Sequence, residues 1–512
     1  MMEELVHAMA TSTDARALHD MIKLREEDLK LLVCGADGYC DEDRFDRLLA
    51  NLEAPQHTVA VVHLFDAYVR TIPERDAPKF RACCIRLTAW LAGAAADQLK
   101  LIPRTVATLC HRVAALACAP AQPSVAFAAS AVLPCTRAAF AVAPLSLLAS
   151  KLTCAASASV LVPAHADVLQ CCLVAKHYAA GAAFLKSANV SCVASSSETA
   201  VQPTDLLRYF YYAGCVSVGT HDWRDAADQL CSAVCAPAQA VSAISVAAFK
   251  KLVFVELLRL AHLPQAPAIG PRAAADEARP QDGVVEDAAA DRRAAPADTR
   301  VAAATRLPKY APAAVARHMR QHAAAYYEIA DSFERGDLQK LRDAIALHRA
   351  AVEADGNSGL AQQLPHALQR RLINQLTRSY LNLSLADVAR RCGLPSPAAA
   401  SKVLAAMVDA GEIEAQIDEA AQRVSFEAAP PPDAAAAVLL EQRHTEALAA
   451  ELAKASDLGA LLEVMAERVA TNTAYVSKTS VADRDDAAGP ESPTHAAAPD
   501  DDYPAGAADF RF

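Results

Sequence analysis

Two stretches of this chain carry the same side-chain pattern 45 residues apart, and that recurrence limits the fold more than any other feature. Tyr178, Ala182 and Leu185 in "PAHADVLQCCLVAKHYAAGAAFLKSA" are answered by Trp223, Ala227 and Leu230 in "TDLLRYFYYAGCVSVGTHDWRDAADQLCSAVCAP". Each time an aromatic, a small residue and a leucine share one helix face, after a first apolar helix and a short corner. Such a unit cannot bury its apolar face alone, so the pattern predicts helical hairpins stacked into a solenoid over residues 161–263. The run Tyr209, Phe210, Tyr211, Tyr212 could stack nucleic-acid bases. Four consecutive residues point all round a helix, however, and only Arg208 is basic nearby, which places the run between hairpins.

The flanking regions support a mainly helical chain. Glycine is scarce, 16 in 512 residues, so phosphate loops and tight hairpins have little raw material. Residues 1–160 hold helical patterns such as "HTVAVVHLFDAYVRTI" and "FRACCIRLTAWLAGAA". The uncharged run between Arg112 and Arg137 is long enough to cross a bilayer, but Pro120, Pro123 and Pro134 cut it and alanine gives it little apolar drive, so no membrane span is expected. "VSAISVAAFKKLVFVELLRLAHLP" makes a third apolar helix closed by Pro264. Residues 264–306, rich in proline, alanine and alternating charge, read as a disordered insertion. Helical patterning resumes over 307–365, and residues 472–512 form an acidic tail without apolar periodicity.

Residues 366–428 change the architecture. Ser384 is a good N-cap for a helix whose apolar face is Leu385, Val388 and Ala389, and Gly393 stops it. Ser396 and Pro397 open a second helix, with Ala400, Val403, Leu404 and Met407 available for burial and Gly411 as its end. The period then switches to two: Ile413, Ala415 and Ile417 alternate with polar residues, and Val424 and Phe426 follow across a four-residue turn. With "RRLINQLTRSYLNL" as the preceding helix, this is a winged helix with a two-stranded β-hairpin wing. Residues 433–470 then read as C-terminal helices, Leu440, Leu448 and Leu452 on one stripe and Leu461, Met465 and Val469 on another after Gly459.

Charge argues against DNA as the target of that module. A groove-reading helix needs Arg, Lys, Asn or Gln on base edges and cations on phosphates. Here the second helix offers Lys402, Ser401 and alanines, and the seven basic residues of 366–428 are matched by seven acidic ones. The whole chain carries 49 basic and 60 acidic residues, a net charge of −11, which opposes polyanions. A hairpin's outer edge instead leaves backbone groups open to another chain's strand.

No catalytic or metal constellation is found. The 15 cysteines are odd in number and no secretory leader is recognisable, so they read as reduced thiols. Cys231 and Cys235 share a helix face but lack a second ligand pair. His318 and His322 in "HMRQH" lack the glutamate of a His-Glu-x-x-His site and read as solvent-facing. Neither a Gly-x-Ser-x-Gly elbow nor a phosphate loop is present.

Helical hairpins, a winged helix and a terminal helix, in that order, characterise the PCI family, named for proteasome lid, COP-nine signalosome and initiation factor three. "HADVLQCCLVAKHYAAGAAFL", "YFYYAGCVSVGTHDWRDAADQL", "LPKYAPAAV", "INQLTRSYLNLSLADVARRCGL" and "MVDAGEIEAQIDEAAQRVSF" lie in family order and resemble the subunit-three group of the COP-nine signalosome. The resemblance implies a TPR-like solenoid leading into a PCI winged helix, and a scaffold without catalytic residues, cofactor or metal. Its complex removes the ubiquitin-like protein Nedd8 from cullin-RING ubiquitin ligases, in cytoplasm and nucleus. It further implies that winged helices associate through their wings and that C-terminal helices bundle, with subunits one and eight as neighbours. Those roles fall on Ile413, Ala415, Ile417, Val424 and Phe426 in the wing, and on Leu448, Leu452, Leu461 and Met465 in the C-terminal helices. A PCI scaffold of the proteasome lid or of initiation factor three shares this architecture. A winged-helix nucleic-acid binder is the alternative of another class.

Overall fold

A computed structural model describes residues 2–34 except 13, 42–119 except 74 and 75, 134–262 except 154–159, 191 and 195, 307–426 except 309, and 434–471. The insertion expected at 264–306 and the tail expected at 472–512 lie outside the described residues, as do Pro120 and Pro123. The described residues form two compact units, one of those up to 378 with 388–396, the other of 379–387, 397–426 and 434–471.

Among the described residues the first unit is helical apart from an isolated bridge between Val160 and Cys192, and it has two hydrophobic cores. One gathers side chains from Leu5 to Ala175, the other from Leu161 to Leu368. Helix Thr58–Thr71 explains why "HTVAVVHLFDAYVRT" shows no polar face: every residue from Thr58 to Val69 is buried, so other helices surround it. Phe45 stacks on Tyr68 at 4.2 Å between ring centroids. The second core unites helix Ala243–His262 with the helices that follow the insertion, so the inserted segment interrupts the sequence but not the packing. Phe254 meets Tyr326 at 4.7 Å between centroids. Beside that contact Lys250 Nζ donates to both Asp355 oxygens at 2.8 Å, the Tyr326 hydroxyl donates to Asp355 at 2.9 Å, and Asn357 Nδ2 donates to the Tyr326 hydroxyl at 2.8 Å.

The repeat anticipated from the 45-residue recurrence is present as hairpins Pro163–Val174 with Tyr178–Ala188, and Pro203–Gly219 with Trp223–Cys235. Their corners close identically. Ala175, Lys176 and His177 donate backbone N–H groups to Cys171, Leu173 and Cys172, and Thr220, His221 and Asp222 donate to Val216, Val218 and Ser217. Lys176 and His221 both adopt left-handed backbone, φ 57° and 61°, which costs an L residue about 1–2 kcal/mol and is normally given to glycine. Glycine is used where helices touch. The Tyr178 ring lies so close to Gly219 that a Cβ there would stand 2.6 Å from its Cγ.

His111, from helix Pro103–Cys118, ties both hairpins to the N-terminal region. Its Nδ1 lies 2.9 Å from Asp167 and its Nε2 3.6 Å from Asp205. The Asp167 hydrogen bond raises the His111 pKa, and burial raises that of Asp167. The aromatic run is packed as expected, with Tyr209, Tyr211 and Tyr212 all buried. No described helix is long and apolar enough to cross a membrane.

The second unit holds a small sheet, a helix and one long terminal helix. The two-stranded hairpin expected from the sequence is present, and a further strand joins it: β1 (Asn382–Ser384), β2 (Gln416–Asp418) and β3 (Arg423–Ser425) are antiparallel in the order β1-β3-β2, with β2 and β3 forming the hairpin. Ile417 and Leu383 both pair with Val424, so Val424 is the centre of the sheet and is fully buried. β1 thereby takes one edge of the hairpin, and the open edges are those of β1 and β2. Ser384 also caps the next helix, Leu385–Arg391, accepting the Asp387 N–H at 3.1 Å. The stripes expected to form separate C-terminal helices lie instead on one continuous helix, Ala434–Thr471, which runs through Gly459. One glycine costs a helix interior about 0.8–1.0 kcal/mol, too little to break a helix of 38 residues.

Candidate assembly surfaces

The face of helix Pro397–Asp409 that would enter a DNA groove can be read residue by residue. Ala400, Ser401, Leu404 and Met407 are buried, and Ala398, Lys402, Ala405, Ala406 and Asp409 are exposed. Ser401, one of the few polar candidates, turns inward and donates to Glu419 at 2.9 Å. One cation and one carboxylate remain on an alanine surface. The hairpin adds exposed Glu414, Asp418 and Glu419, and Arg423 stands opposite Asp418 across the strands. Such a helix surface offers Lys402 alone to base edges, and the hairpin's carboxylates oppose phosphates.

The wing residues separate into two groups. Ile413 and Val424 are buried within the chain, whereas Ala415, Ile417 and Phe426 are half-buried. The first two therefore hold the sheet in place, and only the last three keep apolar area for another surface. The open backbone edges of β1 and β2 remain, with Leu381 beside β1 at 64% exposure.

The terminal helix is the larger feature. Helix Ala434–Thr471 spans about 57 Å at a rise of 1.5 Å per residue. Leu448, Leu452, Leu461 and Met465 are 63%, 68%, 41% and 50% exposed. Sequence reading missed Leu458 and Leu462, which are equally uncovered. The signal was there: Leu458, Leu462, Met465 and Val469 are spaced four, three and four apart, the seam of a helix that expects another helix. Treating Gly459 as a break hid that row.

No group of three or more potential metal ligands occurs among the described residues. Cys231 and Cys235 lie 3.9 Å apart, and burial pushes the Cys231 thiol up to about 12, which makes it a poor thiolate ligand or nucleophile. His318 and His322 are exposed on helix Ala313–His322.

Comparison with known proteins agrees with this architecture. Residues 39–273 match the family model described as COP9 signalosome complex subunit 3, N-terminal helical repeats, and residues 338–428 match the PCI domain. The chain is 27% identical over 267 residues to COP9 signalosome complex subunit 3 of Dictyostelium discoideum, covering 52% of this chain and 53% of that one. It is also 27% identical over 266 residues to COP9 signalosome complex subunit 3 of Arabidopsis thaliana, covering 52% and 51%. The chain thus spans about half the length of the curated relatives it matches.

Proposed function

We propose that this chain, which belongs to the PCI-domain family and carries the helical repeats of COP9 signalosome subunit 3, is a non-catalytic scaffold subunit of that complex. The complex it would serve removes Nedd8 from cullin-RING ubiquitin ligases, in cytoplasm and nucleus. The chain would contribute no cofactor, metal or catalytic residue. Its partners would be other signalosome subunits, with subunits one and eight as neighbours, and cullin-RING ligases would be met indirectly.

The observation that carries this reading is the uncovered apolar seam of helix Ala434–Thr471, with Leu458 58%, Leu462 64% and Met465 50% exposed. A monomer gains nothing from such a seam, and helices of sister subunits would cover it. The open edges of β1 and β2 would add strand-to-strand contacts to neighbouring PCI modules. Nucleic acid and membrane have no part in this reading. Affinity capture of the native chain followed by mass spectrometry tests it. Recovery of signalosome subunits supports the reading, and recovery of proteasome-lid or initiation-factor subunits in their place overturns it.

A further inference from the structure

The N-terminal half of the first unit contains a pocket that a scaffold role does not use. It has a volume of about 180 Å³, and its wall is built from Lys23, Lys30, His63, Arg70, Arg104 and Thr105, with the carboxylates Glu26 and Asp66. Those carboxylates are already occupied: Arg70 donates to both, and Arg112 adds a second contact to Asp66. Lys30 is held by Glu27. Lys23 and Arg104 are left without an acidic partner among the described residues.

Two further features point the same way. Arg104 and Thr105 form the first turn of helix Pro103–Cys118, whose N-cap, Ile102, supplies no side-chain hydrogen bond. The uncapped N–H groups and the positive end of a 16-residue helix therefore lie on the pocket wall. Thr105 itself is only 9% exposed, and its hydroxyl has no hydrogen-bond partner among the described residues. The hydroxyl stays open to the pocket and does not bond within the described chain, so an anion's oxygen can accept from it there. His63 on the pocket wall is held down at about 4, by burial first and then by His19, Lys23 and Arg70, with Glu26 opposing.

We propose that this pocket binds a small phosphate-bearing anion, with Lys23 and Arg104 as its charge partners and Thr105 as a hydroxyl donor. Tetrahedral phosphate oxygens can accept from a guanidinium, an ammonium, a hydroxyl and helix N-terminal amides at once. The volume suits a compact anion of one or two phosphoryl groups, not a folded partner's surface. The site is built from residues of the first unit alone, so it does not depend on the scaffold reading.

Titration calorimetry of the full chain with inorganic pyrophosphate, at constant ionic strength, tests the proposal. The expected result is saturable one-site binding that weakens about tenfold or more in Arg104→Gln and in Lys23→Gln, as loss of a charge-assisted hydrogen bond requires. Thr105→Val should weaken it less, and Lys186→Gln, on a distant helix, should leave it unchanged. Both cations lack a structural partner, so circular dichroism melts of their variants should superpose on the unsubstituted chain. Absence of saturable heat overturns the proposal. So does equal affinity in Arg104→Gln and Lys23→Gln, or an equal response to chloride at the same ionic strength.

Discussion

Gly219→Ala should destabilise the first unit, although alanine is the better helix former. At the end of helix Pro203–Gly219 the exchange gains at most about 0.5–1 kcal/mol of backbone entropy. Against that stands the new Cβ, 2.6 Å from Tyr178 Cγ and 2.7 Å from Cε1. Cγ moves only when χ1 turns, so the Tyr178 ring must leave its rotamer or helix Tyr178–Ala188 must shift. Overpacking of this kind costs about 1–3 kcal/mol, which leaves a net loss of roughly 0–2.5 kcal/mol, about 1 at mid-range, once the entropy gain is subtracted. Hydrogen exchange on both hairpins reads the loss locally, where a global melt of a two-unit chain would blur it. Tyr178→Ala removes the obstacle, so Gly219→Ala should cost little in that background and a double-mutant cycle should show coupling of about 0.5–3 kcal/mol. Gly359→Ala and Gly459→Ala, where nothing lies within 4 Å of the added atom, should be neutral or stabilising. Equal protection in Gly219→Ala and the unsubstituted chain would refute the packing argument.

Other perturbations address other parts of the structure. Asp355→Asn should cost about 1–3 kcal/mol, measured by denaturant titration of the second core, because Lys250 and Tyr326 both lose a charged acceptor. His111 has a raised pKa, so its stabilisation is fully present below its unfolded value of 6.5 and is lost as pH climbs through the folded value. Protection of the hairpins should therefore decline as pH rises above 6.5, and His111→Gln should flatten that decline. His165, held down at about 4 by burial, acts in the opposite sense: its contribution is present above 6.5 and fades as pH falls toward 4. Ile413→Asp, at a residue only 8% exposed, should unfold the second unit instead of only impairing assembly. Loss of the near-ultraviolet signal checks that. Duplex DNA should show no saturable binding, and a steep inverse salt dependence would contradict the charge argument.

What could be read from the sequence, and what could not, follows from the range of the interactions. The hairpin repeat was legible because its signature residues, Tyr178 and Trp223, recur at matching positions of local units. The winged helix was legible through Ser384, Gly393 and Gly411, whose capping acts within a few residues, and both glycines do take left-handed backbone. β1 was not legible, since three residues between two helices carry no period and exist as a strand only through pairing with β3. The first core was closed to sequence reading for the same reason: Phe45, Tyr68 and Leu109 meet only in three dimensions. The pocket at Lys23 and Arg104 joins residues about 80 apart in the chain, on helices with nothing unusual in themselves. Of the wing residues chosen from alternation, the pattern gave the buried face correctly but could not say that Ile413 and Val424 would be consumed by the module itself.

The proposed assembly role rests on the uncovered seam of helix Ala434–Thr471. Covering Leu458 and Met465, 58% and 50% exposed, would contribute roughly 2–3 kcal/mol together by apolar area, about two decades of affinity. The decisive measurement is quantitative affinity capture of the Leu458→Asp, Met465→Asp double variant beside the unsubstituted chain. Signalosome subunits should be recovered with the unsubstituted chain and depleted about a hundredfold with the variant, while the melting curves of the two purified chains coincide. Recovery of the same subunits at equal levels with both chains would contradict the account.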